Sequence, residues 1–90
     1  LIFLESNDSI LHIEFQTLPK GNIPFRMLDY RVRGYRRDPA KSMHQVVIYL
    51  KQTSSELVYQ TSFVMEATRH EFQVVRLWEK PAPLFLEHLG

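Results

Sequence analysis

Ninety residues, 44% hydrophobic and 23% charged, suit one small domain with a single modest core. A formal net charge of +1 gives no whole-chain attraction to nucleic acid or membrane, so any such signal must lie in how the charges are distributed. The lack of cysteine excludes disulfides and thiolate metal sites and is compatible with a cytoplasmic protein, and no apolar run reaches the roughly 20 residues of a membrane helix.

Leu1 to Glu5 is an apolar run of strand length, already strand-like at the first residue, so a segment upstream of Leu1 is expected. Ser6-Asn7-Asp8-Ser9 is turn chemistry, because short Ser and Asx side chains satisfy nearby backbone groups. A second strand follows, Ile10-Leu11-His12-Ile13-Glu14-Phe15-Gln16, and the two make a hairpin in which Glu5 faces Ile10, Phe3 faces His12 and Leu1 faces Glu14. Alternation puts Ile10, His12, Glu14 and Gln16 on one side of that strand and Leu11, Ile13 and Phe15 on the other. Same-face neighbours lie roughly 7 Å apart, near enough for the Glu14 carboxylate and Gln16 amide to meet on one ion or water. A half-exposed strand with these polar groups in water fits the pattern as well.

Pro19 to Asn22 breaks the strand, and Asn22 with Pro24 reads as a helix start. From Pro24 to Arg37, Phe25, Leu28, Val32 and Tyr35 recur at three- and four-residue steps, which predicts an amphipathic helix weakened locally by Gly34. A second row at helical spacing, Arg26, Tyr30, Arg33 and Arg37, concentrates positive charge. Asp38-Pro39 ends the helix. His44 to Lys51 is apolar on both sides and rich in β-branched residues, as in a central strand covered on both faces. Strand, helix and strand then predict a right-handed βαβ crossover. Glu56 to Glu66 alternates and reads as a strand, Glu71 to Trp78 as another, and Leu84 to Leu89 as a short terminal helix.

The string His12-Ile13-Glu14-Phe15-Gln16-Thr17, followed by Pro24-Phe25-Arg26-Met27-Leu28-Asp29-Tyr30, resembles the Rpn-type recombination-promoting nuclease and transposase family of the PD-(D/E)XK, or restriction-endonuclease-like, superfamily. The likeness continues through Gln45 to Leu50 and Val75 to Glu79, where it is less specific. It implies an α/β fold: a restriction-endonuclease-like mixed sheet with an N-terminal hairpin, a crossover helix and a short C-terminal helix, forming one domain over residues 1–90. It also implies a metal-dependent DNA nuclease, with Glu14 as a ligand to Mg²⁺ or Mn²⁺ and Gln16 beside it as a catalytic residue. Hard cations take carboxylate oxygens, activate water and offset charge on the attacked phosphate. Gln16 stands where many members of the superfamily carry lysine, and an amide can orient water without supplying a charge.

An Asp on the first strand completes the family's site, and this chain lacks it. Leu1 to Leu4 hold no acid, while Glu5 and Asp8 sit at the turn end of the hairpin, out of reach of Glu14. The Asp is expected upstream of Leu1, where the residue two before it faces Gln16. Arg26, Tyr30, Arg33 and Arg37 are the candidate DNA contacts, since arginine pairs with phosphate and tyrosine stacks on bases. A solvated helix face, and for Arg26 a structural salt bridge to Glu14, explain them equally. His12 reads as a hydrogen-bonded bystander of Glu14. The other outcomes for the chain are a catalytically silent DNA-binding or oligomerisation module on the same scaffold, and a homodimer through the sheet or last helix. No membrane partner is expected.

Overall fold

The computed structural model describes residues 1–81, and its N-terminal hairpin has the expected register. β1 (Ile2–Glu5) and β2 (Ser9–Gln16) run antiparallel with Glu5 opposite Ile10 and Phe3 opposite His12. Ser6 closes the turn: its N–H donates to the Ser9 carbonyl at 2.9 Å and its hydroxyl to Asp8 Oδ1 at 3.0 Å. Helix α1 (Ile23–Arg37) begins with Pro24 in its first turn, as read from the sequence, but the Asn22 side chain does not cap it. Instead the Asn22 carbonyl accepts the Arg26 N–H at 3.0 Å. At the far end the Asp38 N–H donates to the Gly34 carbonyl, and Pro39 disfavours another helical residue before it.

β3 (Ser42–Tyr49) pairs parallel with β2 along its whole length, so β2, α1 and β3 form the expected crossover unit. Beyond it the chain departs from expectation. The strand read over 56–66 is a 3₁₀ turn, Glu56–Tyr59, followed by β4 (Ser62–Met65). Ser55 caps the turn by accepting the Leu57 N–H at 3.2 Å, and Arg76 holds it from the other side by donating to the Val58 carbonyl at 3.1 Å. β5 (Thr68–Glu71) pairs only with β4, in a separate hairpin. β6 (Gln73–Arg76), followed by a 3₁₀ turn at Leu77–Glu79, runs parallel to β3. The main sheet is therefore mixed, in the order β1-β2-β3-β6. The helix read over Leu84 to Leu89 lies outside the described residues.

One layer, α1, covers one face of this sheet. Under it lies the core: Ile23 and Met27 from α1, Val47 and Tyr49 from β3, Val58 from the 3₁₀ turn, and Phe72 between the last two strands, with Val74 and Trp78 packed alongside. Two expectations are overturned here. The strand face carrying Ile10, His12 and Glu14 is the buried one, while Leu11 and Phe15 of the apolar side are exposed. Likewise α1 presents Ile23, Pro24 and Met27 to the interior, and the row of Phe25, Val32 and Tyr35 faces outward, Tyr35 being 58% exposed. Among the described residues β3 is consequently covered on one side only; its Val46 and Ile48 stay half-buried. Gly34 lies where α1 passes close over β3, and a Cβ there would push aside the flexible end of the Met43 side chain. Among the described residues no helix is long and apolar enough to cross a membrane.

Candidate functional site

Parallel register places His12 of β2 beside Gln45 of β3, and the two-residue strand period puts Glu14 next to His12 on the same face. With α1 lying over them, all three are buried; Glu14 is 2% exposed. Such groups are tolerated only when their hydrogen bonds are completed internally. They are: no buried side-chain nitrogen or oxygen among the described residues lacks a partner.

The pairing fixes every proton. The Met27 carbonyl can only accept, so the Gln45 amide nitrogen must face it, at 2.8 Å. The same nitrogen lies 2.9 Å from His12 Nδ1 and donates its second hydrogen there. His12 then carries its proton on Nε2, which donates to Glu14 Oε1 at 3.2 Å. The Gln45 oxygen, left as acceptor, takes the Nε2–H of His70 on β5. A single directional chain thus runs from His70 through Gln45 and His12 to Glu14, joining the small hairpin to the main sheet.

Glu14 Oε1 also accepts from Arg26 at 3.4 Å, and Arg26, 32% exposed, leads from the buried carboxylate towards solvent. Burial pushes the His12 pKa below its usual value of 6.5, outweighing the hydrogen bond and negative charge of Glu14, which act the other way. His70 is lowered too, first by burial and then by the positive charge of Arg31. Both imidazoles are accordingly neutral near pH 7, as the donor pattern requires.

Of the residues singled out from the sequence, the fold unites Glu14 with Arg26 and brings Tyr30 close by. The Tyr30 ring lies 4.8 Å from His12 and 5.7 Å from Phe3 between centroids, and Arg33 sits over it at 5.6 Å. Gln16 shares the face of Glu14 but takes no part in this network; it lines a separate hollow of about 420 Å³ with Phe15, Thr17, Leu18 and Lys20. The helical row of Arg26, Tyr30, Arg33 and Arg37 runs along the flank of α1 above β1. There Tyr30, Arg33 and Arg37 border a groove of about 220 Å³ floored by Phe3, Ile10 and Met43. Arg33 is paired with Asp29 at 3.0 Å, and Arg37 with Glu5 and Asp38.

Gln45 and His70 were not singled out, and His12, read as a bystander, is the centre of the chain. The only available signal was a glutamine in β3 between His44 and Val46, at the head of the apolar run. As a metal site the arrangement is incomplete. Glu14 is its one carboxylate, already engaged by a guanidinium and an imidazole N–H, and no group of three His, Cys, Asp or Glu among the described residues is placed to hold an ion. Comparison with family models, curated proteins and solved structures finds no match to this chain.

Proposed function

We propose that this chain is a DNA-binding domain on a nuclease-like scaffold of the Rpn type, catalytically silent in the form described. The observation that carries this reading is the state of Glu14: buried, and clamped by Arg26 and His12. A buried carboxylate held this way has its charge answered by the protein itself, which leaves little electrostatic gain for a divalent cation. Its position supports the scaffold, since Glu14-x-Gln16 ends the strand that leads directly into the crossover helix.

DNA contact rests on α1, which holds five of the eleven Lys and Arg residues against one of the ten Asp and Glu. The ion pairs of Arg33 and Arg37 do not oppose this. Both arginines are more than half exposed, where such pairs contribute roughly 0–1 kcal/mol, so phosphates can recruit them from their carboxylate partners. Arg26 and Tyr30 complete the proposed contact row.

A second reading is favoured by the exposure of Arg26, the clamp's one link to solvent. With an upstream Asp beside Glu14 and Gln16, the same site holds Mg²⁺ or Mn²⁺ and the domain is a DNA hydrolase.

Filter binding and a plasmid-nicking assay separate these. The silent domain binds duplex DNA with affinity falling steeply as salt rises, by a log–log slope of about −0.9 per phosphate contact, and does not nick with Mg²⁺ or Mn²⁺. Arg33→Glu with Arg37→Glu lowers that affinity at least about tenfold, corresponding to a few lost or repelled phosphate contacts. Glu14→Gln does not lower it, since it releases Arg26 from its carboxylate. Metal-dependent nicking that disappears in Glu14→Gln establishes the hydrolase instead, and absence of DNA binding at low salt rejects both.

A further inference from the structure

A duplex backbone resting on the arginine row of α1 touches only the rim of the groove beside it. The floor of that groove is apolar, Phe3 and Ile10 from the hairpin and Met43 from β3, and Tyr30 adds a second aromatic ring to its wall. At about 220 Å³ it falls below the roughly 300–1,000 Å³ of a site for a drug-sized molecule and suits one flat ring system. Phe3 is a firm surface for such a ring. It stacks on His12 at 4.8 Å between centroids with the planes 25° apart, and is still 42% exposed.

Charge selects the occupant. Among the described residues the groove's only charged lining groups are Arg33 and Arg37, both more than half exposed. Their acidic partners, Asp29, Glu5 and Asp38, do not line it. The two guanidiniums rise from positions one helical turn apart, about 6 Å along the axis, so they can take two anions that flank one group on the floor. An apolar peptide anchor brings no such pair of anions, and a fatty or aromatic acid brings one anion at one end. In a single nucleic-acid strand every base is flat, apolar on its faces and bracketed by a phosphate on either side. Binders of single strands combine a basic track with aromatic rings on which bases stack. A paired base cannot serve, because it must first be unpaired and unstacked. We propose that the groove takes one unpaired base of a single DNA strand against Phe3 and Tyr30, with the neighbouring phosphates on Arg33 and Arg37. This rests on α1 being a DNA-contact surface and adds to it a preference for single strands.

Fluorescence anisotropy on the 90-residue chain tests this with a labelled thymidine strand of about twelve nucleotides, an abasic strand of the same length and charge, and a duplex. The thymidine strand binds at least about fivefold tighter than the abasic one, the effect of stacking a single base, and tighter than the duplex. Phe3→Leu keeps the floor apolar and removes the ring. It lowers affinity for the thymidine strand by a similar factor and leaves abasic-strand affinity unchanged, with the far-ultraviolet spectrum showing that the variant is folded. Should Phe3→Leu fail to fold, the two strands compared on the wild type decide alone. Equal affinity of the wild type for both strands overturns the proposal, whether phosphates alone are gripped or another part of the chain fills the groove, and leaves the backbone-contact reading standing. A folded Phe3→Leu that binds the thymidine strand like the wild type overturns it as well. Failure to bind any of the probes at low salt removes both the proposal and the reading beneath it.

Discussion

The two faces of the main sheet invert the usual rule. Beneath α1 lie His12, Glu14 and Gln45, all buried, while the opposite face shows Leu11, Phe15 and Leu4 to solvent. The covered side is decided by where the crossover helix lies, and that follows from chain connectivity, since α1 must return the chain to a strand parallel to β2. Polarity then has to be accommodated. On the covered face each donor meets an acceptor, and the desolvation cost of the polar groups is offset inside the protein. On the open face nothing has to be satisfied, and among the described residues its hydrophobic side chains remain in water at modest penalty.

The sharpest way to break this contrast is to remove the residue on which the polar chain turns. Gln45→Leu is nearly isosteric and more apolar, yet it leaves His12 Nδ1 without its donor and the His70 N–H without its acceptor, and strips the Met27 carbonyl of its bond beyond the helical one. Buried groups orphaned in this way cost about 1–3 kcal/mol each, so urea unfolding should show a loss of about 2 kcal/mol or more. That is a large part of the ~5–15 kcal/mol that holds a small domain folded. A neutral or stabilising Gln45→Leu would mean that the polar chain contributes nothing and that the covered face is merely the buried one.

Acidification breaks the same chain more gently. His12 and His70 are both held below their usual pKa when folded, chiefly by burial. In the unfolded chain they bind protons near pH 6.5. Stability is thus complete above that pH and falls as the pH drops from about 6.5 towards the folded-state values, because the unfolded state takes up protons first. The donor pattern adds a structural reason: a proton on His12 Nδ1 would meet the Gln45 amide N–H head on. Urea midpoints should therefore decrease between about pH 7.5 and pH 5.5, and less so in His70→Gln, which retains a donor for Gln45 while removing one titrating group. A flat or rising midpoint would refute the neutral, donor-locked arrangement.

The legibility of this molecule in its sequence divides along the same line. Pairings made by local chemistry could be read: the Ser-Asx turn and its register, Pro24 and Pro39 bracketing α1, and the β-branched run of β3 beside β2. Facing was not legible. His12 and Glu14 look like a wet edge unless Gln45, thirty-three residues beyond His12, is known to lie next to it. The stretch from Glu56 to Arg76 failed for a different reason. Its alternation is the same in a long strand as in a hairpin, and the turn between β4 and β5 uses Glu66 at φ 53° where glycine or asparagine would have announced it. The candidate site was half readable: Glu14 and Arg26 belong to one motif and do meet, whereas the partners that orient Glu14 come from β3 and β5 and carry no local mark.

The smallest expected effect lies on the open face, and it is the control that gives the others meaning. Phe15 is aromatic, near the end of β2 and larger than Gln45, so a count of apolar residues would rank it as the more important of the two. Its exposure argues otherwise. Phe15→Thr keeps a strand-favouring β-branched residue and removes a ring that water already reaches, so at concentrations where the chain is monomeric the expected loss is within about 1 kcal/mol. Measured beside Gln45→Leu, it asks whether stability follows hydrophobicity or enclosure. If Phe15→Thr costs several kcal/mol in the monomer, the ring must be enclosed by part of the chain itself, and the sheet has two covered faces instead of one.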